Sequence, residues 1–519
     1  MELREELKSL AEEKGIKAGM AKKGQSENKS DTPPESNASL SHTAPVLQRL
    51  FEGMKPVDLV KTLMEKIGDP LDRYRDADGN LQTKKIPQKL WIVALVYEIM
   101  EAAKDMDLAL CVRHGAIYGY SATHWQEIGD DEVKKILSLM AIRLGFHSPA
   151  EARTSDFREK LFKQFVADGL EEAPSPDRNR ITLINLRNGT LEIEGHDVRL
   201  REHRREDFLT YCLNYDYDPK ADAPIFSRYL KRVLPEPESQ AIIQEFLGYA
   251  FTSGIKLEKV LVLLGSGRNG KSVLFEIVTE LMGPENISHK GLGEICQKGD
   301  RGNGHRAEVE NKLLNYASEL NPVGADVDLF KAIVSQEPVT ARRLYKDAFT
   351  YRPTVKLIFN ANKLPVESER TTAYFRRFMI VPFEVTITDE EMDIELHRKI
   401  IDNELPGVLN WIIEGLKRVS TAKHFTSSPK SDQALETYKK ESNSVAQFVE
   451  EYRLIPDPYG FVPNAELYRS YSEFCNESGY KRLSKANFGK EMKSLGFEAL
   501  RREWHGKSTR GFLADFGAQ

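Results

Sequence analysis

From Pro45 to about Ala173, apolar residues recur at three- and four-residue steps. LQRLFEGM, PVDLVKTLMEKI and KLWIVALVYEIMEAAKDM each gather them on one helix face. An aromatic stretch, AIYGYSATHWQEI, interrupts that period and reads as strand, and DEVKKILSLMAIRLG returns to helix. After PSPDRNR, a linker, ITLINLRNGTLEIEGHDVRL alternates apolar and polar positions around Asn188-Gly189, which predicts a hairpin. Two helical segments follow, SRYLKRVL and PESQAIIQEFLGYAF. At Lys259 the texture changes, because VLVLL is a short all-apolar run of the kind buried on both faces of a parallel sheet. Strand and helix signals alternate from there to about Lys417, SSPKSDQ reads as a second linker, and the remainder reads as a small α+β module.

The pattern before Pro45 is different. KKGQSENKSDTPPESNASLSH carries almost no apolar surface to offset the entropy of ordering, so it reads as flexible. The chain thus divides into a charged flexible tail over 1–45, a mainly helical accessory region over 46–175, a segment over 176–255, an α/β core over 256–420 and a C-terminal module over 440–519. No solenoid-type repeat runs through it.

Composition narrows the classes. Among 519 residues, 74 Lys and Arg face 79 Asp and Glu, a net charge of −5, which excludes a protein held to nucleic acid by bulk charge. No apolar run approaches the roughly 18 residues of a membrane span, and MELREELKSLAEEKG lacks the apolar segment of a secretory signal. Cys111, Cys212, Cys296 and Cys475 are widely spaced, so neither a zinc knuckle nor a disulfide framework is readable. The expectation is a soluble, cytoplasmic, multi-domain protein without a membrane partner.

The sharpest chemical signal follows VLVLL. Gly265-Ser266-Gly267-Arg268-Asn269-Gly270-Lys271-Ser272 fits G-x-x-x-x-G-K-[ST] between a strand and an amphipathic helix. Glycines let backbone N–H groups approach phosphate oxygens that side chains would block. The helix N-terminus adds its positive end, Lys271 a point charge, and Ser272 a hydroxyl able to ligate Mg²⁺. This predicts binding of a nucleoside triphosphate together with Mg²⁺. Downstream, NKLLNYASELN reads as a second buried strand ending at Glu319, a carboxylate beside the glycine-rich turn that can hold the metal and polarise water. TVKLIFNANKLP reads as a third strand, with Asn362 emerging where an amide can donate to phosphate. Arg376-Arg377 precede the apolar FMIVPF, and an arginine lent by a neighbouring subunit accelerates phosphoryl transfer by orders of magnitude.

These elements, in this order between Gly265 and Arg377, resemble a superfamily 3 helicase of the phage, plasmid and poxvirus-type primase–helicases. The resemblance runs over about residues 110 to 519 and includes NLRNGTLEI, DFLTYCLNYDYDPKADAPIF, IIQEFLGYAF and FKAIVSQEPVTARRLYKDAFTYRPTVKLIFNANKLP. It implies an α/β fold: an AAA+-related P-loop NTPase core, a mainly helical N-terminal region and a C-terminal winged-helix module. By position it assigns Gly265, Gly270, Lys271 and Ser272 to nucleotide and metal, Glu319 to the Walker B acid, Asn362 to the sensor and Arg377, ahead of Arg376, to the arginine finger. Residues 176–255 match the helicase-associated segment. The implied assembly is a homo-hexameric ring on DNA. Two departures stand out: Ser335-Gln336-Glu337 replaces glycines and Asp, and Ser318 rather than an acid precedes Glu319. The first 110 residues lack room for a primase, which points to a separate primase as partner.

TARRLYKDAFTYR sets Arg342, Arg343 and Lys346 among aromatic residues, the mix of cations and flat rings that binds single strands. From Lys481 to Arg510, nine Lys and Arg face three Glu, a second basic surface in an acidic chain. Two readings stay open. One is an ATP-driven replicative helicase of a phage, plasmid or integrated element; the other is an ATP-switched initiator or regulator that does not unwind processively. A small-molecule kinase explains neither basic surface.

Overall fold

The computed structural model describes residues 44–175, 181–365 and 372–516. All but the last two residues of the tail over 1–45, and most of the PSPDRNR linker, therefore lie outside the described residues. The architecture is mixed α/β.

The accessory region is helical where apolar residues keep a helical period, as over Gln88–Asp105, Asp130–Arg143 and Ser155–Gly169. The aromatic stretch forms strands. β1 (Leu110–Arg113), β2 (Ala116–Tyr120), β3 (Trp125–Ile128) and β4 (Glu171–Glu172) make a sheet ordered β3-β2-β1-β4. The Asn188-Gly189 hairpin is β5 (Thr182–Leu186) with β6 (Gly189–Glu194), extended antiparallel by β7 (Asp197–Arg201).

At the centre is a five-stranded sheet whose paired strands all run parallel: β8 (Val260–Leu264), β9 (Ile287–Ser288), β10 (Leu314–Ala317), β13 (Lys356–Ala361) and β14 (Phe378–Pro382). Their spatial order is β14-β8-β13-β10-β9. Both faces are covered, as the all-apolar runs require. Along β8, Val260 and Val262 pack into one core while Leu261 and Leu263 pack into the other. β11 (Val339–Arg342) and β12 (Ala348–Tyr351) form an antiparallel hairpin between β10 and β13 in the chain.

One expectation is corrected. SSPKSDQ opens a helix over Pro429–Ser442 rather than a linker: the Ser428 side chain accepts from Ser431 N, and Pro429 stands at the first helical position. Ser followed by Pro is a helix-start signal as much as a loop signal, and buried Tyr438 then fixes this helix to the core.

The C-terminal module has its own core around Phe448, Tyr471 and Phe488. It runs helix Ser444–Glu451, β15 (Leu454–Pro456), β16 (Val462–Pro463), helices Asn464–Ser478 and Lys485–Ser494, then β17 (Ala499–Trp504), β18 (Lys507–Phe512) and β19 (Ala514–Phe516). β17 and β18 form a hairpin that carries Arg501, Arg502, Lys507 and Arg510.

Candidate nucleotide site and hairpin

The site is built on the carboxyl edge of the central sheet, where open parallel sheets place their ligands. Register aligns Leu264 with Ala361 and Ala317 with Phe359, so Gly265, Asn362 and Glu319 all leave that edge. Glu319 follows β10, however, and β13 lies between β10 and β8. Asn362, not Glu319, therefore follows the strand next to the glycine-rich turn. The chain order of the strands could not show this insertion. Asn362, Glu319 and Ser272 are all exposed.

The Gly265–Gly270 turn is fastened by its neighbours. Gly265 N donates to Ala361 O (2.9 Å), Phe383 N to Leu264 O (2.6 Å), and Ile387 N to Arg268 O (2.8 Å). A Cβ on Gly265 would meet Asn269 Nδ2 at 2.1 Å and Phe383 O at 2.7 Å, so only glycine fits there. Gly270, at φ 84°, leads into the Lys271–Met282 helix. Its carbonyl accepts from Tyr229 Oη at 2.8 Å. Tyr229 is in turn placed by the Pro224–Val233 helix, whose first N–H groups, from Ile225 and Phe226, donate to the buried Glu404 carboxylate. Sequence spacing gave no sign of Tyr229, Phe383 or Glu404, because each reaches the turn from far along the chain.

Lys271 is 6% exposed, and its ammonium donates to Gly265 O (2.7 Å) and Asn269 Oδ1 (2.9 Å). Both acceptors are neutral, so burial lowers the Lys271 pKa and no carboxylate opposes it. A buried cation with only neutral partners, beside a glycine-lined helix N-terminus, suits a polyanion. The residues present thus fit a triphosphate. No ready-made cluster of three metal-ligating side chains exists among the described residues, so a divalent ion here would rely on Ser272, Glu319 and the phosphates themselves.

The two arginines part company. Arg377 is 6% exposed and turned inward, with Nη2 2.8 Å from Ser335 Oγ and 3.4 Å from Glu258, and Nη1 donating to Ala373 O. Arg376 is exposed and pairs with Glu258 at 2.8 Å. Of the two, Arg376 is the one a neighbouring chain can reach. Gln336, in the turn that departs from the family pattern, adopts φ 54°, a left-handed conformation that favours glycine.

The β11–β12 hairpin also differs from the sequence reading. Arg343 bonds Glu310 (2.8 Å) and Glu127 (3.4 Å), and lies over the Phe349 ring. Burial alone would lower the Arg343 pKa, but Glu310 and Glu127 outweigh it and raise it. Lys346 bonds Asp130 (2.8 Å) and Gly115 O (2.6 Å). Arg342 is exposed, 3.4 Å from Asp300. Arg343 and Lys346 thus tie the hairpin to the accessory region through Glu127, Gly115 and Asp130 and to the core through Glu310, and His114 stacks on Phe349 and contacts Glu310 in the same cluster. What the tip offers freely is Leu344 and Tyr345, 79% and 94% exposed.

Residues 97–235 match the D5 N terminal like family, 440–516 the poxvirus D5 protein-like family, and 263–377 a family of unknown function (DUF5906). An Acanthamoeba polyphaga mimivirus protein named as a "putative helicase" is 25% identical over 209 residues, 39% of this chain and 22% of that protein. An African swine fever virus protein named as a "putative primase" is 22% identical over 354 residues, 63% of this chain and 37% of that protein. The chain thus spans between about a fifth and two fifths of these relatives' length. A solved structure of the NrS-1 C-terminal region is 12% identical with a TM-score of 0.44, covering 80% of this chain and 98% of that one. The two D5-type matches and the relatives named as putative helicase and primase support a likeness to the phage and poxvirus-type primase–helicases. No helix among the described residues is long and apolar enough to cross a membrane.

Proposed function

We propose that this protein is an ATP-driven DNA helicase of the superfamily 3 type, acting as a homo-hexameric ring in the replication of a phage, plasmid or integrated element. The observation that carries the reading is the buried Lys271 ammonium, held by two neutral acceptors at the mouth of a turn that tolerates no Cβ at Gly265. An arriving triphosphate gives that cation the opposite charge it lacks, in a site where a low dielectric strengthens the attraction. Backbone N–H groups from Gly265 to Ser272 bind phosphate oxygens, Glu319 accepts a proton from the attacking water, and Asn362 orients the terminal phosphate. Mg²⁺, held through Ser272 and Glu319, supplies charge neutralisation when bound. Arg376, the exposed member of the pair, takes the finger role toward the neighbouring subunit; Arg377 positions it by bracing Ser335 and Glu258.

In the same reading residues 256–420 form the ATPase core and 440–519 a winged-helix module. The helix order and the basic β17–β18 hairpin support the latter. The setting is cytoplasmic. The test is ATP hydrolysis and displacement of a strand from a forked duplex by wild type and by Lys271→Ala. Both activities should vanish together in the variant; strand displacement that persists without Lys271 defeats the proposal.

One observation favours the second reading, an ATP-switched initiator. The hairpin's Arg343 and Lys346 are engaged by the chain's own carboxylates rather than free for DNA. DNA-stimulated hydrolysis without any displacement would select it.

A further inference from the structure

Because Arg343 and Lys346 are paired internally, the unpaired cations of this region lie elsewhere. A cleft of about 850 Å³ opens at the amino ends of β8, β10 and β13, the end of the sheet opposite the glycine-rich turn. Its walls are the segments leading into those strands, the β1–β2 turn, and the base of the hairpin just after β12. Four cations line it: Arg113, Lys256, Lys312 and Arg352. Among the described residues Glu310 is the one carboxylate on its wall, and Arg343 and His114 already engage it. Arg113, Lys256 and Arg352 have no carboxylate partner among the described residues. Arg113 lies over the Phe208 ring at 4.9 Å, and Arg352 donates to Gln336 O at 3.3 Å. Lys312 donates to Glu285 O, again a neutral acceptor, and burial lowers its pKa. Gln336, 4% exposed, also lines the cleft, and its amide nitrogen has no partner among the described residues.

The cleft's cations outnumber its lining carboxylate, and their mutual repulsion is relieved by an anion. A free nucleotide would need only one or two of these groups. Cations from four separate segments, along an open cleft that runs to the base of a hairpin tipped by Tyr345, suit an anion that is itself extended. We infer that this cleft holds a segment of single-stranded nucleic acid through its phosphodiester backbone. The proposed function supplies the choice of nucleic acid; the site itself rests on the cations.

The test is fluorescence anisotropy with a fluorescein-labelled oligothymidylate, in the absence of ATP, across a salt titration. Lys256→Ala/Arg352→Ala should weaken binding by about tenfold and flatten the log–log salt slope by about 1.4, two phosphate contacts at about 0.7 each. Lys256→Arg/Arg352→Lys should restore both, which separates lost charge from lost folding. Unchanged affinity and slope overturn the inference. An equal loss toward a blunt duplex also overturns it, by marking a general basic surface, and displacement of the oligonucleotide by inorganic phosphate or free ATP at equal charge overturns it by marking a small-anion pocket. No step requires hydrolysis, so a failure here leaves the Lys271 reading standing, and a hydrolytically silent protein that still shows the slope change leaves the cleft standing.

Discussion

Replacing Glu310 by Gln keeps its shape and removes its charge, which makes it the sharpest probe of how the hairpin is held. The carboxylate side chain is 4% exposed and its Arg343 partner 15%. Removing one member of a fully buried pair costs about 3–5 kcal/mol. Here Arg343 keeps Glu127 at 3.4 Å and the His114 carbonyl at 3.3 Å, so the loss should be nearer 2 kcal/mol. In native-state hydrogen exchange, 2 kcal/mol corresponds to about 30-fold faster exchange through local opening. That acceleration should appear over Val339–Tyr351 and leave Val260–Leu264 unchanged, because β8 lies in the central sheet. Arg343→Ala combined with Glu310→Gln should add little beyond Arg343→Ala alone, since the pair is already gone in that variant. Fully additive effects, or hairpin exchange equal to wild type, would refute the clamp.

Other outcomes follow from the same geometry. Tyr345→Ala should leave stability unchanged, because the ring is solvated, yet weaken single-strand binding by about 1–3 kcal/mol if the tip stacks on a base, read by anisotropy. Gly265→Ala should abolish binding of a fluorescent ATP analogue, since its Cβ meets Asn269 and Phe383 O. Arg376→Ala should retain nucleotide binding but lose hydrolysis and suppress wild-type activity in mixed assemblies, whereas Arg377→Ala should first lower the melting temperature. Lys356 is buried, donating to Thr252 O and Thr354 O, and burial lowers its pKa from 10.5 to about 7. Below about pH 7 folding must bury the charge. Between about pH 7 and 10.5 the unfolded chain binds the extra proton, so this group adds stability as pH rises. Lys356→Met should therefore gain most over wild type below pH 7, and the gain should shrink through this window in denaturation at graded pH.

Much of this was legible because local physics dictates it. VLVLL is apolar on both faces and became an interior strand; Gly265 through Ser272 became a strand-to-helix turn; Asn188-Gly189 turned a hairpin. What stayed hidden depends on contacts far along the chain. The insertion of β13 between β8 and β10 is a matter of spatial order, and periodicity carries none. Arg343 and Lys346 look like free cations in TARRLYKDAFTYR because Glu127, Asp130 and Glu310 reach them from other elements. Arg376 and Arg377 differ by one position, yet the turn before β14 points one inward and the other out. SSPKSDQ misled because Ser and Pro serve a helix start as readily as a loop.

The central claim is that the Gly265–Ser272 turn grips a triphosphate whose cleavage moves a DNA strand. The most direct measurement is ATP-dependent strand displacement from a forked duplex by the full chain, with Lys271→Ala alongside. The expected result is displacement that requires hydrolysable ATP and Mg²⁺ and disappears with the lysine; displacement unaffected by Lys271→Ala, or none under any nucleotide and metal despite a folded, assembled protein, contradicts it.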